Sequence, residues 1–219
     1  MTSPVKAVVF DFDGTIIDTE TPVFESIHQL FVDYGAEPVT REAFIAGIGH
    51  STDELEDPYD RLGAIVGPAF VRTDAVARRR AMMADMVAAQ PLRAGVMEWI
   101  DACDAAGVPL AVASSSPIEW VDHHLRERGL LDRFVTLSCA GDGAPGKPDP
   151  FVYARACADL GVEPGEAVAI EDSPPGVASA KGAGMRCIAS PGPMTASLDL
   201  SAADITVASL AEVAAADWF

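Results

Sequence analysis

The chain has 219 residues, enough for one large domain or two small ones with a real core. With 49% hydrophobic and 22% charged residues it is globular rather than disordered, and its formal charge of −18 argues against a nucleic-acid partner, whose phosphates need clustered Lys and Arg. No apolar run approaches the ~20 residues of a membrane span; no signal peptide precedes the first strand-like run; and Cys103, Cys139, Cys157 and Cys187 show neither a CxxC pair nor zinc spacing. A cytoplasmic protein with reduced thiols and no membrane partner is expected.

The first element is the apolar run Val5, Ala7, Val8, Val9, Phe10, of the kind that fills a strand covered on both faces of a parallel sheet. It ends abruptly in Asp11-Phe12-Asp13-Gly14-Thr15. The two carboxylates read either as an ordinary Asp-Gly turn or as a working pair, one acid attacking and the other moving protons. From 19 to 90 the pattern is helical. Phe24, Ile27, His28 and Phe31 recur at helix spacing, and a second run over 70–89 is rich in Ala, Met and Arg. An all-helical domain inserted at 19–90 between core segments 1–18 and 91–219 is predicted.

After Pro91 strands and helices alternate. Helix is predicted over 95–106, strand over 109–114, helix over 118–128, strand over 134–138 and helix over 151–160. Strand over 167–171, helix over 176–182 and strand over 185–189 follow, and the 199–219 tail adds a strand at 205–207 and a short helix. The alternation specifies an α/β fold with a doubly wound, Rossmann-like parallel sheet.

Three polar clusters sit where strands end. Ser114-Ser115-Ser116-Pro117 reads as a helix N-cap or as a ligand-binding turn. Gly146-Lys147-Pro148-Asp149-Pro150 presents a lysine on a proline-stiffened loop. Glu171-Asp172-Ser173 places adjacent acids at a strand end, where they repel unless a cation lies between them. Only Lys6, Lys147 and Lys181 are available as lysines, so a phosphate site would need a metal ion as well. Together the clusters suit Mg²⁺ held by carboxylates opposite a phosphoryl group held by Ser and Lys, which is phosphoryl-transfer chemistry.

These residues resemble the four ordered motifs of the haloacid dehalogenase superfamily: Asp11-Phe12-Asp13-Gly14-Thr15, Ser114, Lys147 within Gly-Lys-Pro-Asp-Pro, and Glu171-Asp172-Ser173-Pro174-Pro175-Gly176. The helical insertion is similar to the type 1 cap of the phosphoglycolate phosphatase and β-phosphoglucomutase-like branch. The resemblance implies Asp11 as the nucleophile that forms an aspartyl-phosphate and Asp13 as general acid and base. It implies Mg²⁺ held by Asp11, the Asp13 main-chain carbonyl, Asp172 and Glu171. Ser114, Ser115 and Lys147 would bind the phosphoryl group, Thr15 and Asp18 would brace the loop and hinge, and the cap would open and close over the substrate. No lysine lies between Lys6 and Lys147, which removes a Schiff-base phosphonate chemistry; Asp13 disfavours dehalogenation. Val23 and His50 stand where a mutase would carry a histidine and a basic residue, leaving His50 as a cap contact to substrate. Arg78-Arg79-Arg80 is read as a solvated helix face, since successive helix residues point about 100° apart. A Mg²⁺-dependent phosphomonoester hydrolase of a small organic phosphate is expected, as a monomer or weak homo-oligomer. The alternatives are a phosphosugar mutase and a non-catalytic binding module.

Overall fold

The computed structural model describes residues 4–48, 57–141 and 144–219. The chain divides into two compact units, one of residues 1–17 and 91–219, the other of residues 18–90.

In the first unit the apolar runs pair as β1 (Ala7–Phe10), β2 (Leu110–Ser114), β3 (Thr136–Cys139), β4 (Ala167–Glu171), β5 (Arg186–Ala189) and β6 (Ile205–Thr206). All pairs are parallel, in the order β3-β2-β1-β4-β5-β6. Every residue of β1 and β4 is buried, which is why these strands read as unbroken apolar runs rather than alternating ones. Ala7 and Val9 share a core with Ala111, Ala113, Ala169 and Ala189, and with residues of two helices, α7 (Phe151–Leu160) and α8 (Pro174–Gly182). Those alanines let the helices approach the sheet closely. Phe10 points to the opposite face, where it meets Phe134 edge-on with ring centroids 6.2 Å apart. Two further helices, α5 (Val96–Ala106) and α6 (Ile118–Glu127), flank β2 in sequence.

The strand order has a direct consequence for the site. From β1 the chain steps outward through β2 to β3, and from β4 outward through β5 to β6, so the direction reverses between β1 and β4. Loops leaving the carboxyl ends on either side of such a reversal diverge and leave a crevice. Phe10 is in register with both Ile170 and Val112, so Asp11, Glu171 and Ser114 all emerge at that edge.

The tail departs from the expected helix. It forms two single 3₁₀ turns, Leu210–Glu212 and Ala215–Asp217, because it is tied down along its length. The Trp99 indole donates to the Val213 carbonyl at 2.9 Å and the Val5 N–H to the Trp218 carbonyl at 2.7 Å. The tail also crosses Gly95, where φ is +91° and an added Cβ would lie 2.3 Å from the Ala211 nitrogen. Gly95→Ala should therefore cost at least ~2 kcal/mol from left-handed strain and overpacking together, a fall in Tm of roughly 4–8 °C at this chain length. Gly107→Ala, with φ of +67° but open space around the new methyl, is the control that carries strain alone. Equal losses in the two variants by thermal unfolding would show that the tail crossing contributes nothing.

The second unit contains α1 (Glu20–Asp33), α2 (Arg41–Gly47), α3 (Pro58–Val66) and α4 (Arg72–Ala88) around buried Leu30, Phe31, Leu62 and Ala75. Helix α4 begins two residues later than the composition predicts. Gly67–Ala69 make a 3₁₀ turn that enters at positive φ, and Phe70 is extended. In the arginine run Arg78 and Arg80 are exposed, as a solvated face implies, and Arg79 is half-buried. Arg78 pairs with Asp33 at 2.7 Å, and Arg79 reaches the Ser26 hydroxyl and the Tyr59 hydroxyl, so both tie α4 to neighbouring helices. Asp18 accepts from the Thr21 N–H and hydroxyl, bracing the start of α1. No helix among the described residues is long and apolar enough to cross a membrane.

Candidate active site

Where β1 ends, Asp11 is buried, and its Oδ1 accepts a hydrogen bond from Lys147 Nζ. The same ammonium donates to Glu171 Oε1 at 2.6 Å, at the end of β4, and lies 5.1 Å from the centroid of the Tyr153 ring. Glu171 is fully engaged. Oε1 also accepts from the Tyr153 hydroxyl at 2.6 Å, and Oε2 from the Asp172 N–H at 3.1 Å and from the Ser173 N–H and hydroxyl. This carboxylate is packed under the first turn of α8: a Cβ at Gly176 would fall 1.9 Å from Glu171 Oε2, so only glycine admits it. Ser173 caps that helix by accepting from Gly176 N–H at 3.3 Å.

Asp13 faces the end of β2. Its Oδ2 accepts from Ser116 Oγ at 2.6 Å and lies 3.5 Å from Ser114 Oγ; its Oδ1 accepts from the Trp120 indole N–H at 2.9 Å. Ser114 also accepts from the Ser116 N–H at 3.0 Å, closing the turn before α6. Ser115 Oγ accepts from the Lys147 N–H at 3.0 Å, fixing the loop that carries the lysine.

Asp172 is nearly inaccessible and accepts from Thr195 Oγ1 at 3.0 Å, while that oxygen in turn accepts from the Gly192 N–H at 2.8 Å. Arg93 joins the loops on either side of the site: its guanidinium donates to the carbonyls of Gly14, Ser190 and Pro191.

The electrostatics are lopsided. Four carboxylates, Asp11, Asp13, Glu171 and Asp172, share the site, and the Lys147 ammonium meets two of them, Asp11 and Glu171. Burial pushes the Asp11 carboxyl up to about 7; Lys147 pulls the other way, but Glu171 and Asp13 add to the rise. Burial likewise pushes Asp172 well up, helped by Asp11 and Glu171 and opposed by Thr195 and Arg93. Lys147 is held charged, because Asp11 and Glu171 outweigh its own desolvation. One oxygen each of Asp11, Glu171 and Asp172 lies within 4.8 Å of the others. An all-oxygen, anionic and water-poor donor set of this kind fits a hard divalent cation.

The comparisons with known proteins follow the same lines. A profile of the haloacid dehalogenase-like hydrolases matches residues 8–190. The chain belongs to the haloacid dehalogenase-like hydrolase family. It is 34% identical to YhcW of Bacillus subtilis, a provisionally assigned phosphatase, over 95% of this chain and 94% of the relative. It is 32% identical to hexitol phosphatase B of Escherichia coli, over 97% and 96% of the two chains. Among solved structures, an Asp-to-Asn variant of CbbY from Rhodobacter sphaeroides in complex with xylulose 1,5-bisphosphate superposes with a TM-score of 0.75 at 29% identity, covering 95% of this chain and 96% of that one. This hydrolase is thus an enzyme of the phosphatase type with a Rossmann-like parallel sheet, as its motifs implied.

Of the residues singled out in the sequence of this family member, Asp11, Asp13, Ser114, Ser115, Lys147, Glu171 and Asp172 come together at the β1/β4 reversal. His50 lies outside the described residues. Trp120, Tyr153, Thr195 and Arg93 were not singled out, and Ser116 and Gly176 were named only as members of their motifs. Ser116 and Trp120 had a signal, a donor-rich turn followed closely by the one side chain that offers both a large ring and an N–H; Thr195 and Arg93 had none.

Proposed function

We propose that this chain hydrolyses monoesters of small polyol and sugar phosphates, with Mg²⁺ as cofactor and a phosphorylated Asp11 as the intermediate. The observation that carries the reading is the buried Asp11–Lys147–Glu171 chain beside Asp172, at the crevice where the sheet reverses. It supplies a carboxylate oxygen to attack phosphorus, an ammonium to offset charge as it builds, and room in its charge balance for a cation.

Asp11, the Asp13 main-chain carbonyl and Asp172 would hold the metal ion. When bound, Mg²⁺ supplies positive charge that keeps Asp11 ionised and offsets the charge on the phosphoryl oxygens. Glu171, with both oxygens already accepting hydrogen bonds, anchors Lys147 instead of completing the coordination shell. Lys147 neutralises Asp11 and the incoming phosphoryl group, and Ser114 and the Ser115 N–H take up phosphoryl oxygens. Asp13 protonates the departing alkoxide, then removes a proton from the attacking water. The relatives favour a polyol or sugar ester as the substrate: one is named a hexitol phosphatase and another is solved with a sugar bisphosphate.

Phosphate release from a panel of polyol, sugar and 2-carbon phosphomonoesters, with Mg²⁺ and with EDTA, tests this directly. Release that needs Mg²⁺ is expected. Interconversion of phosphosugars without free phosphate would identify a mutase instead. A calorimetric readout is independent of turnover: Mg²⁺ at 100 times its dissociation constant should stabilise the protein by about 2.7 kcal/mol, and no shift in Tm at any Mg²⁺ concentration would count against the metal site.

A further inference from the structure

The two oxygens of Asp13 face different kinds of donor. Oδ1 accepts from the indole N–H of Trp120 at 2.9 Å, whereas Oδ2 meets hydroxyls, Ser116 Oγ at 2.6 Å and Ser114 Oγ at 3.5 Å. An indole nitrogen can only donate, while a hydroxyl both donates and accepts. When Asp13 carries a proton, that proton cannot sit on the oxygen facing the indole without setting two hydrogens against each other. It can sit on Oδ2, because the Ser116 hydroxyl can turn from donor to acceptor.

We propose that Trp120 is a positioning residue for Asp13: it keeps Oδ1 an acceptor throughout turnover and makes Oδ2 the oxygen that releases and takes the proton, with the Ser116 hydroxyl reversing its sense to follow. This rests on the hydrolase reading above. In the first half-reaction the Oδ2 proton passes to the ester oxygen as the bond from phosphorus to that oxygen breaks, the electron pair staying on the leaving oxygen, while an Asp11 oxygen bonds to phosphorus. In the second, water gives a proton to Oδ2 as its oxygen bonds to phosphorus, and the bond between phosphorus and Asp11 breaks with its pair returning to the carboxylate.

The surroundings hold the indole in this orientation. The His124 ring meets Trp120 edge-on with centroids 4.1 Å apart, and stacks on Phe12 at 6.3 Å on its other side. Phe12 is fully buried and His124 nearly so. Phe12 is the residue between the two acids, so the brace begins and ends on the catalytic loop. Ser116 stands just ahead of α6 and Trp120 in its first turn, so the start of one helix delivers both contacts to one carboxylate.

A leaving-group comparison separates positioning from mere structure. Sorbitol 6-phosphate leaves as an alkoxide and needs the proton; 4-nitrophenyl phosphate leaves as a stable phenolate and hardly needs it. Trp120→Phe, which removes the N–H and keeps a ring, should lower kcat/KM for sorbitol 6-phosphate by about 10- to 100-fold and for 4-nitrophenyl phosphate by less than about 3-fold, a fraction of the 10²–10⁴ typical of general acid–base catalysis. Ser116→Ala should show the same split and carries the comparison if Trp120→Phe does not melt as a folded protein. Equal losses on both esters, or no loss on either, would overturn the inference while leaving the hydrolase reading intact. A wild-type enzyme that releases phosphate from neither ester would overturn that reading, and this inference with it.

Discussion

Asp11→Asn should abolish phosphate release, by about 10³-fold or more, and yet raise the melting temperature of the metal-free protein at pH 8. The first effect follows from removing the attacking oxygen's charge, since an amide cannot form the phosphorylated intermediate. The second follows from the sign of the pKa shift. The Asp11 carboxyl is raised to about 7 from its usual value of 3.8, so the fold favours its protonated form. Its contribution to stability is fully present below pH 3.8 and is lost as pH rises through about 7. Asparagine keeps the shape and never acquires the charge. It forfeits the Lys147 contact, but that contact is already counted in the shift, and burial with Glu171 and Asp13 outweighs it. In EDTA the variant should therefore melt above the wild type at pH 8 and close to it at pH 4. Saturating Mg²⁺ should erase or reverse the difference by stabilising the wild type more. A variant that keeps measurable turnover would remove Asp11 from the nucleophile's role, and one that melts lower at pH 8 would mean that the ion pair dominates over desolvation.

This opposition between function and stability also explains what could be read from the sequence. The strand ends were legible because each apolar run stops at a polar residue: Asp11 after Phe10, Ser114 after Ala113, Glu171 after Ile170. Alternation of strand and helix then implied that these ends share one edge of a parallel sheet. What surrounds them was not legible, because it depends on which strands are neighbours. Tyr153 reaches Glu171 only because α7 packs across β3, β2 and β1, which brings its side chain to the end of neighbouring β4, and Thr195 reaches Asp172 from a loop beyond β5. Arg93 looks in sequence like a linker residue, yet its side chain spans two loops that are far apart along the chain. Gly176 is a different case. It reads as part of a Pro-Pro-Gly helix start, and only the position of the Glu171 carboxylate shows that a methyl group there would collide with it. That same packing turns both Glu171 oxygens toward protein donors, whereas Asp172 accepts from Thr195.

Lys147→Met should reduce kcat by at least about 10²-fold, the scale on which one preorganised donor to a developing charge contributes, and its effect on stability should depend on pH in a way that identifies the cause. Methionine is close to lysine in length and keeps an apolar stem against the Tyr153 ring, so little packing is lost. What is lost is the only ammonium among four acids. Removing one partner of a buried pair typically costs 3–5 kcal/mol, roughly, when the remaining charge must stay buried. The carboxyls can escape that cost by protonating. Lys147 lowers the Asp11 carboxyl, so without it the value of about 7 moves further up. The part of the instability that comes from Asp11 is then absent near pH 4, where Asp11 is already protonated in both proteins, and grows as pH passes 7 toward 9; the lost hydrogen bond to Glu171 is a separate cost. Lysine itself adds no slope in this range, because its own value is raised above 10.5 and it stays charged throughout. Thermal unfolding in EDTA across pH 4–9 should show the two melting curves diverging with pH, and Lys147→Met combined with Asp11→Asn should remove that divergence by removing the charge left unpaired on Asp11. A constant offset between wild type and Lys147→Met at every pH would assign the loss to packing and to the Glu171 contact, and unpaired charge on Asp11 would no longer be its cause.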